Sequence, residues 1–269
     1  MEFKIKQEKL QEMLEKMILK DVCPSGIFCF KNDSLFSIQK DSHSRALRFL
    51  KCNKDYFESF SVEENEEPFE IADMNQCLDL VKKHEPGKTI TCYVKDSKFY
   101  FKSTKGDEKQ GLYYKTSSVP IQDPENVIDK LPLDFDDDGR PFLSAGEDKS
   151  VLLDKWFTVE LADFRLHVES ATPLKTEFYT FLFEDKKVRS RVGDLKISTA
   201  GDNVEDLRAT IHSGENLEVI FTFGIRQLAQ SFTKSKFGVR TNTHSPGWFY
   251  EGDKTYKYGV LIPPYTEEQ

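Results

Sequence analysis

The sequence predicts an α+β protein of two similar domains, each built from two β-α-β-β units with the helices on one face of antiparallel sheets. The first observation behind this prediction is a pattern that occurs four times: a short β-like run, an amphipathic helical stretch, and two β-like runs joined by a tight polar turn. The second is an acidic segment between units two and three of the 269-residue chain. A single unit of this kind cannot bury its sheet face alone, so the units are expected to pair.

The four units repeat the same elements at nearly constant spacing. Their opening runs begin at residues 3, 69, 157 and 217, and the hairpin turns follow at offsets of 30, 27, 28 and 29 residues. Such regular offsets favour a repeated architecture over a chance series of hairpins. The helical stretches are predicted at residues 8–20, 74–84, 162–171 and 224–236.

The helices show two different faces. The first and fourth carry apolar stripes at helical spacing, which predict core contacts at Leu10, Leu14, Met17, Ile18, Ile225, Leu228, Ala229 and Phe232. Basic residues lie off the stripes or near the helix ends, at Lys9, Lys16, Lys20, Lys82, Lys83, Arg165, Arg226, Lys234 and Lys236. These cations either form ordinary solvated faces or share one surface that contacts phosphates, which needs only positive charge and reach.

The charge of the chain is concentrated in its middle. The formal net charge is −8, and residues 119–152 hold 3 basic and 9 acidic residues, with prolines at 120, 124, 132 and 141. A stretch of this composition is typical of a linker rather than of a packed core. We therefore predict an N-terminal domain at 1–118, an acidic linker at 119–152 and a C-terminal domain at 153–269.

The sequence also predicts an intracellular protein with no membrane partner. Its apolar runs are too short to span a bilayer, and the N-terminal MEFKIKQEKL does not resemble a signal peptide. Five cysteines without metal-like spacing are expected to be reduced and mostly in the core. The expected location is the cytoplasm or nucleoid if the source is archaeal or a virus of a prokaryote, and the nucleus if the source is eukaryotic.

Patterns typical of enzymes are weak in this sequence. Residues 134–139, DFDDDG, match the start of a calcium-binding loop, but Ala145 stands where the loop requires a bidentate glutamate. Asp41, Ser42 and His43 include the residue types of a catalytic triad, but they are neighbours in a strand, where alternate side chains face opposite ways. We therefore expect no enzyme activity, no metal and no cofactor, and an enzyme built from α+β repeats is kept as an alternative.

Several segments resemble one protein family. Residues 41–50, DSHSRALRFL, resemble a strand of that family that begins at an aspartate. Residues 56–58 match a Tyr-Phe-Glu sequence that is common in its archaeal members. Residues 222–228, TFGIRQL, and 232–234, FTK, are similar to its last helix, and residues 260–263, VLIP, to its closing strand. Together these segments resemble the sliding clamps of the proliferating-cell-nuclear-antigen type, found in archaea and eukaryotes.

The resemblance covers roughly residues 1–118 and 153–265 and implies a DNA sliding clamp. Such a clamp is a ring, usually of three two-domain chains, with helices around a hole through which duplex DNA passes. The resemblance implies a polymerase processivity factor and a docking platform for replication and repair proteins. The implied partners are double-stranded DNA of any sequence, a DNA polymerase, a clamp loader, other proteins with a short clamp-binding peptide, and further copies of the chain in a homotrimer.

The resemblance also suggests site residues. Arg226 and Lys234 would face DNA from the last helix, and Lys20 from the end of the first. The chain departs from the family at Gln76, Asp79 and Glu169, where clamps often have basic residues.

The groove for a partner peptide would lie between the linker, the strand after Asp41 and the C-terminal tail. Its expected ligand is a short peptide with an aliphatic and an aromatic anchor. Arg45 replaces a usual aliphatic residue, and the linker is longer than the family norm. The predicted groove residues are Ser44, Arg45, Leu47, Val127, Ile128, Leu131, Ile262 and Pro263.

One alternative keeps the clamp fold but changes the role. The chain would then be an interaction scaffold, or a subunit of a mixed ring, without independent encirclement of DNA. Self-association and retention on circular DNA discriminate between the two roles.

Overall fold

The chain divides into two compact units, and each is described separately. The first comprises Met1–Gln39, Arg48–Asp129 and Gly252–Tyr258, and the second Lys40–Leu47, Lys130–Glu251 and Gly259–Gln269. The computed structural model describes residues 1–19, 22–31, 33–41, 46–62, 66–105, 113–125, 127, 133–135, 141–144, 150–153, 155–170, 179–184, 187–192, 203–213, 216–221, 225–242 and 245–264.

The order of elements contains the four predicted repeats. The first two repeats and their connections supply β1 (Glu2–Lys6), α1 (Gln7–Ile18), β2 (Gly26–Lys31), β3 (Ser34–Lys40), β4 (Leu47–Asn53), β5 (Ser59–Ser61), β6 (Phe69–Ile71), α2 (Met74–Lys82), β7 (Thr89–Lys95), β8 (Lys98–Lys105) and β9 (Tyr113–Pro120). Three short strands follow, β10 (Leu133–Phe135), β11 (Pro141–Ser144) and β12 (Ser150–Leu152). The last two repeats supply β13 (Lys155–Glu160), α3 (Leu161–Ser170), β14 (Tyr179–Glu184), β15 (Lys187–Val192), β16 (Asn203–Leu207), β17 (Ala209–Ser213), β18 (Leu217–Phe221), α4 (Ile225–Ser231), β19 (Lys236–Thr241), β20 (Gly247–Gly252) and β21 (Tyr256–Ile262).

Each repeat donates its opening strand to the hairpin of the other repeat in its unit. In the first unit β1 pairs with β7, which places Phe3 opposite Cys92, and β6 pairs with β2. In the second unit β13 pairs with β19 and β18 pairs with β14, so the same exchange is made again. Neither repeat completes its sheets alone, and the expectation that the repeats pair is confirmed.

Antiparallel strand pairs build the sheets of both units. The first unit holds a five-stranded sheet, β5-β1-β7-β8-β9, and a second series, β4-β3-β2-β6. The second unit holds the series β17-β13-β19-β20 and a four-stranded sheet, β16-β15-β14-β18. Helix α1 packs against α2, and α3 packs against α4. The predicted α+β class is confirmed.

Phenylalanine fills the core of each unit. In the first, the ring of Phe3 lies 5.0 Å from that of Phe57 and 6.1 Å from that of Phe99. In the second, the ring of Phe181 lies 5.9 Å from that of Phe157 and 5.8 Å from that of Phe164. These contacts are in the range of favourable aromatic pairs, so both cores gain from ring geometry as well as from apolar burial.

The predicted core positions of the helices and the cysteines are confirmed. All eight stripe residues of the first and fourth helices are buried. All five cysteines are buried and free. Burial raises the pKa of the Cys52, Cys77 and Cys92 thiols well above the ordinary value, which keeps them protonated and unreactive.

Two stretches differ from the sequence-based prediction. The last helix ends at Ser231 rather than near residue 236, so Phe232 packs from the connection after it. The segment predicted as an open linker holds β10, β11 and β12, which form a three-stranded antiparallel sheet. The domain boundaries at residues 118 and 152 stay a prediction.

Candidate nucleic-acid interface and partner groove

Helix α1 presents a mainly acidic face to solvent. Glu8 and Lys9 are exposed, and Glu12 and Glu15 are half-buried. The Lys9 ammonium donates a hydrogen bond to the Tyr56 carbonyl at 3.4 Å and lies 5.1 Å from the Tyr56 ring centroid. Three carboxylates beside one exposed ammonium disfavour phosphate at this face.

Lys16 lies on the core side of α1. Its side chain is only 2% exposed, and its ammonium is 3.2 Å from the Glu12 carboxylate. The same ammonium lies 5.4 Å and 5.2 Å from the ring centroids of Tyr256 and Tyr258. The predicted DNA contact of Lys16 gains no support, because the side chain is almost fully buried and its ammonium lies against these two tyrosine rings.

The exposed cations of α2 lie at its C-terminal end. Lys82 and Lys83 are exposed there, where positive charge also interacts favourably with the helix dipole. Gln76 and Asp79 are exposed earlier along the helix. Asp73 caps the N-terminus of the helix, and its carboxylate accepts the Gln76 N–H at 2.9 Å. Lys82 and Lys83 stay predicted DNA contacts with a suitable exposure.

Arg165 on α3 is bound to the end of α4. Its Nε donates to the Ala229 carbonyl at 2.8 Å, and its Nη2 donates to the Phe232 carbonyl at 2.5 Å. Carbonyls at the end of a helix lack partners within the helix, so these bonds join the two helices. The neighbouring Leu166 is 66% exposed and Glu169 is exposed. The contacts of Arg165 give it a structural role, and its predicted DNA contact gains no support.

The cations predicted on the last helix are spread over three local structures. Arg226 is half-buried on α4, whereas the other two follow the end of the helix. The Lys234 N–H donates to the Glu251 carboxylate at 2.9 Å. The Lys236 ammonium, on β19, lies 2.7 Å from the Glu160 carboxylate. The prediction that Lys234 and Lys236 belong to the helix is therefore wrong.

The described groove residues differ widely in exposure. Val127 is 43% exposed, and Pro263 is exposed. Leu47 is 8% exposed and Ile262 is fully buried, and the strands that carry them are neighbours in a sheet. Leu47 and Ile262 can therefore only pack beneath the residues that line a groove, whereas Pro263 can contact a peptide directly.

Some predicted positions lie outside the described residues. Among the site residues these are Lys20, Ser44, Arg45, Ile128 and Leu131. The same holds for Ser42, His43, residues 222–224 and most of the calcium-like loop after Phe135.

The segment 41–50 has a clear structural role. The Asp41 carboxylate accepts the Ala46 N–H at 2.8 Å, which closes the connection before β4. Arg48 is fully buried and donates to the Ser37 hydroxyl at 3.0 Å and the Gln39 side-chain carbonyl at 3.1 Å. Burial lowers the pKa of Arg48 from its ordinary value, and these bonds stabilise the charged guanidinium. The polar residues of this segment therefore fix strand geometry.

Sequence reasoning missed two groups of polar residues. Glu251 accepts the N–H groups of Thr233 and Lys234 at 2.8 Å and 2.9 Å, and no local pattern near the helix reveals such a distant acceptor. The other group is a set of lysines on the outer face of the five-stranded sheet. Their alternate spacing at residues 4 and 6, and at 98 and 102, is the signal that could have found them.

Within the described residues, no helix is long and apolar enough to cross a membrane. The same part of the chain contains no group of three or more His, Cys, Asp or Glu side chains that could hold a metal ion.

The chain is similar in structure to known proteins. No protein-family model matches the chain, and no curated protein matches it. Among solved structures, proliferating cellular nuclear antigen from Entamoeba histolytica is similar at a TM-score of 0.77 and 12% identity, over 98% of each chain. A. fulgidus PCNA, in a structure with the C-terminal region of FEN-1, is similar at a TM-score of 0.74 and 14% identity, over 100% of this chain and 99% of that chain. Along its whole length, the chain has the fold of the PCNA-type sliding clamps.

Proposed function

We propose that the chain is a DNA sliding clamp, which assembles from three copies into a ring around duplex DNA. In this role it keeps a DNA polymerase on its template and offers docking sites to replication and repair proteins. The observation that carries the proposal is the match to two clamps over at least 98% of this chain. A likeness of this extent includes both units.

Two sheet edges support assembly into a ring. β9 is an edge strand of eight residues in the first unit, and β16 is an edge strand in the second. An unpaired edge is a template for another strand. Pairing of two different edges is a head-to-tail contact, and such contacts close into rings when the rotation per copy allows it.

The helix faces are suited to weak contact with DNA. Lys82 and Lys83 offer exposed charge, and Arg226 is half-exposed. Phosphate attraction of this kind does not depend on base sequence and permits sliding. A closed ring is held by its topology, so its inner cations need only guide the duplex.

Docking of partner peptides is supported by the similar structure that contains the C-terminal region of FEN-1. Val127 in the first unit is 43% exposed and Pro263 in the second is exposed, and each by itself can contact an apolar anchor of a peptide. The polymerase, clamp loader and other clamp-binding proteins are proposed to use this docking mode.

The first test is the solution mass, by light scattering after size exclusion over a concentration series. A closed homotrimer is expected at three times 31.2 kDa, about 94 kDa. Proline is then placed separately at Thr116 and Ser117 of β9, because adjacent N–H groups alternate in direction and one of the two substitutions leaves the sheet intact. Loss of the trimer in the folded variant supports this edge. Ser59→Pro in β5, at the opposite edge, is the matched control that should keep the trimer.

The second test is retention on DNA. After loading, a ring should stay on nicked circular duplex DNA and leave the same DNA once it is cut into a linear form. Equal retention on both forms contradicts encirclement.

A second candidate function is favoured by the charge of the helices. The exposed and half-buried charges of α1 and α2, with Lys83 included, are four acidic and three basic. Such a face favours a scaffold, or one subunit of a mixed ring whose cations come from other chains. A monomer at every concentration that pulls down distinct clamp-fold chains is the result expected for the mixed ring.

A further inference from the structure

The outer face of the five-stranded sheet in the first unit is rich in lysine. Along β1, Phe3 and Ile5 are buried, whereas Lys4 and Lys6 alternate with them and are exposed. Along β8, Phe99 and Phe101 are buried, which directs Lys98 and Lys102 to the same outer face. The five strands thus form a platform with the core on one side and ammonium groups on the other.

The strand register sets the spacing of these cations. Lys4 lies opposite Thr91, and Thr91 lies opposite Lys102, so two lysines flank one threonine across three strands. Two strand spacings separate Lys4 and Lys102 by about 10 Å, and Lys98 lies about 13 Å along β8 from Lys102. Lys4, Thr91 and Lys102 also line an open groove of about 550 Å³. The groove can hold a chain of phosphates with a hydroxyl donor between two ammonium groups.

Two tyrosines lie in the middle of the same face. Tyr93 and Tyr100 are directly opposite each other on β7 and β8, and their rings are stacked with centroids 5.1 Å apart at an interplanar angle of 4°. Both are half-exposed. Parallel aromatic rings on an open sheet are a surface on which bases stack, whatever their sequence.

The charges on the face determine the kind of ligand. Lys6 is paired with Glu58 at 3.1 Å, so its charge is partly compensated. Among the residues that the structure describes, no carboxylate pairs with Lys4 or Lys98. Glu2, which lies opposite Tyr93, is acidic and weakens the attraction of this face for anions. The balance favours a polyanion over a cationic or neutral ligand.

We propose that this face, formed by Lys4, Thr91, Lys98, Lys102, Tyr93 and Tyr100, binds single-stranded nucleic acid without sequence preference. The lysines and the threonine contact phosphates, and the tyrosines stack on bases. An acidic peptide would use the lysines but gains little from parallel rings, and a peptide that adds a β-strand needs a sheet edge rather than a face. The inference goes beyond the clamp role, because it requires neither a ring nor duplex DNA.

The test is fluorescence anisotropy with a labelled oligothymidylate of about 20 nucleotides and an oligouridylate of the same length, at salt concentrations from about 50 to 200 mM. The triple variant K4A/K98A/K102A is expected to bind at least about tenfold more weakly. Because each phosphate contact on a single strand contributes a slope of about 0.7, its plot of log affinity against log salt should be shallower by about 2. The double variant Y93L/Y100L should lose about tenfold in affinity with an unchanged salt slope.

Two further variants make the result decisive. Glu2→Gln removes the acidic residue from the face and should strengthen binding about twofold, which a folding defect cannot imitate. K254A/K257A removes two exposed lysines from another part of the first unit and should stay within about twofold of the unmodified protein. Thermal unfolding of each variant verifies that the fold is kept.

Three outcomes overturn the proposal. They are no binding of either oligonucleotide, binding that the triple variant retains, and binding of a polyglutamate peptide but not of the oligonucleotides. Each of them is independent of the solution mass, so this proposal and the clamp proposal fail on different measurements.

Discussion

The outer sheet faces of the two units use cations and aromatic rings in opposite ways. On the first unit, the lysines of β1 and β8 surround the stacked pair of Tyr93 and Tyr100 and lie on an open face. On the second, the Arg240 guanidinium lies between two rings, 4.7 Å from the centroid of Trp156 and 5.2 Å from that of Tyr250.

The second face is a continuous set of contacts. The ring of His212 lies 4.4 Å from that of Trp156, and the His212 Nε2 is hydrogen-bonded to the Thr158 hydroxyl at 2.8 Å. Arg240 Nε donates to the Tyr250 hydroxyl at 3.3 Å. Similar residue types are therefore engaged within the protein on one unit and exposed to solvent on the other. Composition alone does not separate a binding face from a structural one, because the difference lies in what the cation contacts.

The largest expected effect comes from Trp156→Ala. This change removes the ring between His212 and Arg240 and exposes the sheet beneath, so the free energy of unfolding should fall by about 3 kcal/mol. Urea denaturation measures this loss. Tyr100→Ala is the matched change on the first unit. It should lower the free energy of unfolding by less, because the Tyr100 ring lies on an open face. An equal loss in both variants would remove the contrast between the faces.

A smaller effect is expected from Gly238→Ala. The Tyr250 ring lies directly over this glycine, and an added Cβ would come within 2.3 Å of the ring carbon Cζ. The ring must shift, which disturbs its contact with Arg240, so we expect a loss of about 2 kcal/mol in the free energy of unfolding. In the variant R240A, Tyr250 has no contact with Arg240 to be disturbed. Gly238→Ala should then lower the free energy of unfolding by less than it does in the unmodified protein. Additive losses in the double variant would show that Tyr250 and Arg240 are not coupled.

The repeats show what local sequence can predict. Alternation at β1 and helical spacing in α1 identify Phe3, Leu10 and Leu14 as core residues, and all three are buried. The clamp fold follows from four such repeats together with short segments such as 41–50. These features are encoded by residues near one another in the sequence, so a single sequence reveals them.

The end of the last helix shows what local sequence cannot predict. The pattern of 224–236 continues as a helix would, yet α4 ends at Ser231, because Glu251 accepts the N–H groups of Thr233 and Lys234. Lys16 shows the same limit, since its spacing from Lys9 and Lys20 gave no sign that Tyr256 and Tyr258 would cover it. The exposure of a cation therefore depends on partners distant in sequence, which local patterns do not reveal.

A pH-dependent effect is expected in the first unit. His84 is buried, and its ring nitrogens are hydrogen-bonded to the hydroxyls of Ser103 on β8 at 2.6 Å and Ser117 on β9 at 3.1 Å. Burial, and then the nearby Lys115, lower the pKa of His84 below its ordinary value of 6.5. At a pH between the lowered pKa of His84 in the folded protein and its ordinary pKa in the unfolded chain, the unfolded chain binds more protons than the folded protein. The stabilisation by neutral His84 is therefore present above about pH 6.5 and falls as the pH drops towards the pKa of the folded state.

The variant H84Q tests this dependence. Urea denaturation between about pH 7.5 and pH 5 should show a steeper loss in the unmodified protein, by at most about 1.4 kcal/mol per pH unit. The two profiles should converge at low pH if His84 is the group responsible. Parallel profiles would assign the pH dependence to other groups.

The smallest effect is expected from replacing the lysines of the first face. Lys98 is exposed, and the loss of a surface charge away from the core changes the free energy of unfolding by no more than about 0.5 kcal/mol. K98A should therefore unfold in urea like the unmodified protein, whereas R240A on the second face should lose about 1 kcal/mol because two ring contacts disappear. A large destabilisation by K98A would mean that the first face is structural like the second. Equal stability in K98A, together with weaker binding of single-stranded nucleic acid, would separate the two faces by function, since Lys98 would then serve a ligand and Arg240 the fold.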